Sequence, residues 1–450
     1  MPNSKVNYSY IEKIVYSPQF RNMQDKTQLF YSAPKRQVRT RLTHTIEVKV
    51  IARDIGNRIN TELRRSLIDL DLVDAIALAH DIGHTPFGHV GERTINGIVS
   101  RKDNLGGLIG STGSNQMRFK HNVNSFRLLE QLGVDDWRII EGALCHTKIF
   151  YKATDSFKNN PYDPFREVRT KFEKFLQDKH QIFTRGKHSD KYPSLTLEGQ
   201  VVAIADEIAQ RVADIDDGLE SRCFENVKEI LHVDPSIRNR EDLEECIREM
   251  LIDDVVETTL KNLESAVSTR TKIWGMSHDT YSTDVVGFSS DKKKQNEDLE
   301  KFITVMMAQS EDVRESDSRS RYIIRQLFKA YLNDVSLLSD GFIDEYFGKI
   351  VNRKSFSESM AKLDAEKLKV FVKIQQGGWR YTKVNPSKNK RVIEMGNVRD
   401  FFEILVENEH THAIAPLNDL FDEYILKVGF HIAGMTNTEA FTAYNRVYGH

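Results

Sequence analysis

The run Leu70-Asp71-Leu72-Val73-Asp74-Ala75-Ile76-Ala77-Leu78-Ala79 is apolar around most of a helical turn, and it leads directly into His80-Asp81. A helix that is hydrophobic on nearly every side has to be enclosed by other elements. The chain is thereby committed to a fold that surrounds this helix and leaves an imidazole and a carboxylate at its buried end. Such groups are costly to desolvate without partners. Gly83 and Pro86 then end the helix and force a turn. The stretch from His80 to Glu92 also holds His84, His89 and Glu92. Polar ligands at the end of a buried helix, beside a tight turn, point to a site that the rest of the chain completes.

The remaining elements read as helices. From Leu42 to about Arg65, Ile46, Val50, Ile51, Ile55 and Ile59 recur at helical steps, with Thr43 as a candidate N-cap and His44 in the first turn. Further helices are expected from about Asn122 to Leu132, from Asp135 to His146, and from Ser194 to about Asp217. A short amphipathic one is expected from Val168 to Leu176, and later ones from Val398 to Glu407 and Pro416 to Val428. Alternating strand patterns are scarce, so the fold class is all-α, with one minor hairpin expected near Trp379 to Met395. Residues 100–118 and 268–298 read as long loops, the first rich in Gly and Ser, the second charged around Asp291-Lys292-Lys293-Lys294.

Bulk composition excludes several classes. Lys plus Arg number 64 and Asp plus Glu 66, a balance that argues against a protein built to coat nucleic acid. Cys145, Cys223 and Cys246 are odd in number and widely spaced, which gives neither a disulfide framework nor a CxxC zinc site and fits a reducing cytoplasm. The N-terminus carries no apolar signal region, and no run reaches the roughly 18 apolar residues that a membrane helix needs. A cytoplasmic protein without a membrane partner is the expectation.

One set of residues can hold a divalent ion. Asp206 lies in Val201-Val202-Ala203-Ile204-Ala205-Asp206-Glu207-Ile208-Ala209, where a carboxylate needs a charged partner to stay ionised. With His44, His80 and Asp81 it makes a shell of two imidazoles and two carboxylates, suited to Mn, Fe, Co, Ni or Zn and less naturally to Mg.

The pattern His44…His80-Asp81…Asp206 resembles the metal-binding signature of HD-domain phosphohydrolases. Ser17-Pro18-Gln19-Phe20-Arg21, Lys26-Thr27-Gln28-Leu29-Phe30, the block from Val38 to Val48 and the block from His80 to Glu92 narrow the likeness. They resemble the dGTPase-like deoxynucleoside triphosphate triphosphohydrolases, as does Ile432-Ala433-Gly434-Met435-Thr436. The likeness is dense over residues 10–218 and thin over 220–420. It implies an HD-type core over 1–220 and a helical region over 221–450 that completes the substrate site and the contacts of a homo-oligomer, a tetramer or hexamer. The implied reaction removes tripolyphosphate from a dNTP, with dGTP as one candidate preference. It implies His89 as proton donor to the leaving 5′-oxygen and Glu92, three residues on, as its orienting acid. Arg41, His84 and His121 would contact phosphates, His84 and His121 having a second metal as their alternative role. Gln28, Leu29, Gln210 and Asp214 would read the sugar. Asp206, Gln210 and Asp214 share one helical face at four-residue steps.

Departures are specific. Gln210 stands where relatives commonly carry a tyrosine, Ala213-Asp214 where they carry His-Asp, and Phe430-His431 where they carry Asp-Tyr. The acid expected after Met435-Thr436 is Asn437, and no Lys-Tyr-Pro segment is recognisable around Cys145-His146-Thr147-Lys148. Rival readings are an HD-type nucleotidase or phosphodiesterase, and a catalytically silent binder of nucleotide or single-stranded DNA. Nucleotides and single-stranded DNA are also the effectors that the resemblance implies.

Overall fold

The computed structural model describes residues 8–27, 39–111, 117–147, 193–218, 224–237, 239–265, 270–272, 279–281, 283–379 and 390–449. The expected helix at Val168 to Leu176 lies outside them. The chain forms two contact units that interleave along the sequence. One takes residues 1–88, 121–153 and 168–318, the other 89–120, 154–167 and 319–450.

The first unit is built on α1 (Tyr8–Val15), α2 (Pro18–Asn22), α3 (Arg41–Glu62), α4 (Leu70–Ala79), α6 (His121–Gln131), α7 (Trp137–Cys145) and α8 (Leu197–Gly218). It continues with α9 (Phe224–Leu231), α10 (Arg240–Ser265) and α11 (Ser290–Gln309). α5 (Gly88–Val99) follows α4 and carries the chain into the second unit.

α4 is enclosed as its composition demands: every residue from Leu72 to Ala79 is buried. α3, α7 and α8 surround it, and α10 packs on α3 and α8. Val48, Ala52, Ile55 and Ile59 of α3 and Val201, Val202, Ala205 and Ile208 of α8 are fully or almost fully buried in the shared core. At about 25 cal/mol per Å² of apolar surface, each of the Val and Ile side chains contributes roughly 1.5–3 kcal/mol. Asp74, the acid inside α4, is held by Arg53 Nη1 at 2.7 Å and Lys49 Nζ at 3.2 Å from α3. Asp69 caps the helix by accepting from the Asp71 and Leu72 N–H groups. The α4–α7 contact depends on Gly142, since a Cβ there would come within 2.8 Å of Ile76.

Three sequence readings are corrected. The N-cap of α3 is Thr40, whose hydroxyl accepts from Thr43 N–H while Thr43 answers as the other half of a capping box. The expected hairpin at Trp379 to Met395 fails where it is described: residues 390–396 belong to α16 (Lys390–Thr411). The strand pair instead joins β1 (Arg270–Lys272) and β2 (Asp279–Tyr281), antiparallel, Thr271 opposite Thr280. The charged run Asp291 to Lys294 is the exposed first turn of α11, not loop.

In the second unit, α12 (Glu311–Asn333) enters from the first at Arg319 and is followed by α13 (Asp340–Ile350), α14 (Lys354–Met360), α15 (Ala365–Gln375), α16, α17 (Ala415–Gly434) and α18 (Asn437–Tyr448). α17 is its central helix, packed by α13, α14 and α16 over Phe347, Phe401, Phe402 and Tyr424. Among the described residues, no helix is long and apolar enough to cross a membrane.

Candidate metal centre

His80 is the C-cap of α4, so its ring sits where the buried helix ends. Its Nδ1 lies 2.7 Å from Ala77 O. With Nδ1–H donating to that carbonyl, Nε2 is left as a lone pair turned toward the carboxylates. His44 comes from the first turn of α3 and is fully buried, its Nε2 at 2.9 Å from Asp206 Oδ1. His80 Nε2 stands 3.8 Å from that same oxygen and 3.6 Å from Asp81 Oδ2. His44, His80 and Asp206 thus converge from three helices, α3, α4 and α8, on one point. The Asp206 side chain is the most open of them, at 18 % exposure.

The turn after Asp81 is clamped by α6. Gly83 N–H donates to Ser125 Oγ at 3.0 Å, Ser125 Oγ–H to His80 O at 2.9 Å, and Asn124 Nδ2 to Gly83 O at 2.8 Å. The approach is so close that a Cβ on Gly83 would lie 2.2 Å from Ser125 N and 2.4 Å from His121 O. The buried Lys26 ammonium donates to His84 O at 2.5 Å. Phe87 then adopts φ +60°, a left-handed conformation strained for a bulky residue, followed by Gly88 at +57°.

Asp81 is the hub. Its Oδ2 receives Arg41 Nη1 at 2.7 Å, and its Oδ1 is 3.7 Å from His84 Nε2, 3.8 Å from His121 Nε2 and 3.8 Å from His146 Nε2. Burial pushes the Asp81 carboxyl up, but the imidazoles of His80 and His84 and the Arg41 guanidinium overcome it and hold it well below the usual range. Asp206 behaves alike: burial raises it, while the His44 hydrogen bond and the neighbouring His80 ring bring it far down. Burial, reinforced by His80, lowers His146 to about 4, so it is a neutral imidazole at physiological pH. The Nε2 of His80 has no hydrogen-bond partner among the described residues. A buried, partnerless lone pair facing two ionised acids is a donor set that suits a divalent cation.

The structure therefore brings together His44, His80, Asp81 and Asp206, with His84, His121 and Arg41 around them. His84 and His121 stack at 4.0 Å between ring centroids. Arg41 is buried, and its Nε and Nη2 have no hydrogen-bond partner among the described residues. On α8, Gln210 is half-buried and Asp214 buried, with Arg211 Nη1 at 3.3 Å from Asp214 Oδ2. Gln28 and Leu29 lie outside the described residues. His89 and Glu92 belong to the second unit. There His89 Nδ1 is 3.6 Å from Glu92 Oε2, and Lys120 Nζ is 3.4 Å from Glu92 Oε1. In the same unit, Arg325 of α12 is paired with Asp103.

Sequence reasoning passed over His146. Its signal was legible, because it ends an apolar helix as His80 does, Ala143-Leu144-Cys145-His146 echoing Ala77-Leu78-Ala79-His80.

The HD domain family matches residues 41–211, from the first residue of α3 to beyond Asp206 on α8. A deoxyguanosinetriphosphate triphosphohydrolase-like protein of Brucella ovis is 29% identical over 357 residues, covering 73% of this chain and 78% of that protein. Proteins of the same description from Geobacter metallireducens and Rickettsia bellii are each 28% identical, over 73% of this chain and 77% and 79% of their own lengths.

Proposed function

The chain belongs to the HD-domain, dGTPase-like family, and from that premise we propose that it is a metal-dependent deoxynucleoside triphosphate triphosphohydrolase. The observation that carries this reading is the convergence of His44, His80, Asp81 and Asp206 at ligand spacing in a buried cluster. The chemistry that a divalent ion supplies when bound at such a shell is polarisation of a phosphate oxygen and acidification of a water.

The chain's own residues do the rest. The reaction breaks the bond between the α-phosphorus and the 5′-oxygen as water adds to phosphorus, giving deoxynucleoside and tripolyphosphate. The 5′-oxygen leaves as an alkoxide unless it is protonated. His89 is assigned that proton, and Glu92 orients the ring from one helical turn away; their 3.6 Å separation supports the pairing. Arg41 offers Nε and Nη2 to phosphate oxygens while Nη1 stays on Asp81. His84 and His121 contact the same phosphates. Gln28, Leu29, Gln210 and Asp214 are assigned to the sugar, where an apolar Leu29 would crowd a 2′-hydroxyl. Gln210 in place of the family's tyrosine makes base and sugar preference the property most open to change, dGTP being one candidate.

The deciding experiment incubates the purified chain and Mn²⁺ with each dNTP and separates the phosphate products. Tripolyphosphate with deoxynucleoside is expected. Pyrophosphate or orthophosphate alone would sink the triphosphohydrolase reading and favour an HD-type nucleotidase. Nucleotide binding without turnover would favour a silent binder. His89→Ala should lower turnover by about 10²–10⁴-fold with bound metal unchanged.

A further inference from the structure

We propose that Arg211 and Asn296 are positioning residues for the sugar. Together they lock the Asp214 carboxylate as the acceptor for the 3′-hydroxyl, so that α11 takes part in telling a deoxynucleotide from one without that group. This rests on the assignment of Asp214 to the sugar, and not on the metal or on the leaving-group chemistry.

Elementary chemistry narrows what Asp214 can read. In a deoxynucleoside triphosphate the 5′-oxygen is esterified and C2′ carries no hydroxyl, which leaves the 3′-hydroxyl as the donor of the sugar. An ionised carboxylate is an acceptor only, so the two match. Asp214 has to hold its charge while buried, at 4 % exposure, and a buried carboxylate is costly unless it is paired. Arg211 supplies the pairing from one turn earlier on α8, its Nη1 at 3.3 Å from Asp214 Oδ2.

Arg211 is itself placed from a second helix. Its Nε donates to Asn296 Oδ1 at 2.8 Å, and its Nη2 lies 3.5 Å from Glu300 Oε2. Asn296 and Glu300 are four residues apart on α11, which packs on α8. Asn296 is 2 % exposed, and both ends of its amide are used. Oδ1 accepts from Arg211, and Nδ2 donates to Glu207 Oε1. An amide engaged at both ends has one orientation, and the guanidinium it holds then has one too. Glu207, Arg211 and Asp214 stand at i, i+4 and i+7, along one face of α8. α11 thus grips α8 over the stretch between Asp206 and Asp214. A guanidinium can make this link because its donors diverge in a rigid plane. An ammonium is a single point of charge and cannot serve Asn296 and Asp214 in the same geometry. The outer end, Glu300, is 61 % exposed and screened by water, so the buried members set the grip.

The test compares each dNTP with its 2′,3′-dideoxy counterpart on the full chain with Mn²⁺, reading kcat and KM separately. The wild type should favour the dNTP by about ten- to a hundredfold in kcat/KM, the worth of one hydrogen bond to a charged acceptor. Arg211→Lys and Asn296→Ala should each shrink that preference by about tenfold through a higher KM for the dNTP. Their constants for the dideoxy substrate and their stabilisation by Mn²⁺ should stay at the wild-type values. A role confined to folding would slow both substrates alike and leave the ratio where it was; that result in both variants overturns the proposal. So does a wild type that treats the two substrates alike. Should both variants fail to fold, Glu300→Gln loosens the guanidinium from the exposed end and should cut the ratio by about two- to threefold. An unchanged ratio there overturns the proposal. The phosphate products of the same reactions keep the two readings apart. Pyrophosphate or orthophosphate alone sinks the triphosphohydrolase reading, while the ratio still reports the sugar contact. If the wild type turns over neither nucleotide, calorimetric affinities for the same pair supply the ratio.

Discussion

Each contact unit buries a charged cluster, and the two are finished differently. In the second unit, Arg101 donates from Nη1 to Glu409 Oε1 at 2.9 Å and from Nε to Asp422 Oδ1 at 3.1 Å. Its guanidinium also lies 5.5 Å from the Phe421 ring centroid, and Gly110 N–H takes a further place on Glu409 at 2.9 Å. The three charged side chains are at most 3 % exposed, and the cluster is closed by its own members. In the first unit, most separations among His80, Asp81, His84, His121, His146 and Asp206 lie at 3.4–3.8 Å, too long for good hydrogen bonds and right for ligands around a cation. The cluster of the second unit is closed on Arg101, whereas that of the first unit holds Asp81 and Asp206 through Arg41 and His44 and leaves His80 Nε2 without a hydrogen-bond partner among the described residues.

Either cluster can be put to the test. The largest effect is expected from Asp206→Asn: if Asp206 is the metal ligand proposed above, turnover should fall by at least about a thousandfold. Added Mn²⁺ should raise the thermal midpoint of the wild type, by about 2.7 kcal/mol of stability at a hundredfold excess over Kd. Calorimetry should find that gain missing from the variant; a full Mn²⁺ response in Asp206→Asn would remove the residue from the shell.

Arg101→Met comes next. It strands two buried carboxylates, so urea denaturation should show a loss of about 3–5 kcal/mol. The Mn²⁺-induced gain should survive on the lowered baseline, because the open cluster is untouched. An unchanged midpoint would mean that the closed cluster contributes nothing to the fold.

The smallest effect sets both clusters against a buried acid that has neutral donors only. Glu141 of α7 accepts from Ser194 Oγ at 2.6 Å and from Leu195 N–H at 2.9 Å, and burial, only partly offset by these bonds, raises it to about 7. Its folded value thus lies above its unfolded one. The stability it contributes is complete below about pH 4.5 and is lost as pH rises through about 7. Denaturation midpoints should fall across that window, by on the order of 3 kcal/mol. Glu141→Gln should flatten the fall, and a variant with the same slope as wild type would assign the pH dependence elsewhere.

Much of the fold and of the site is legible in the order of residues alone. The all-α class follows from helical periodicity, and the burial of α4 from its composition. Asp206 is visible because an acid amid Val, Ile and Ala has to be answered by a cation. What the sequence hides depends on distant residues. Gly83 reads as a turn residue, yet it is glycine because α6 leaves no space for a side chain. Thr40 and Thr43 are both good caps, and only the chain path decides which one stands outside the helix. The Lys run after Asp291 lacks apolar residues and reads as loop, although its polarity is that of an exposed helical face. His146 escapes notice because a lone imidazole carries little weight until α7 is seen to end beside α4.

That shared ending has an electrostatic consequence of its own. Peptide dipoles leave roughly half a negative charge at a helix C-terminus. α4 and α7 both terminate at the cluster, through His80 and His146, and so add their fields to the charges of Asp81 and Asp206. On the proposed function, a polyphosphate that approached before any cation was in place would meet that negative potential, offset by Arg41 on Asp81, and cation before anion is the loading order that the proposal predicts.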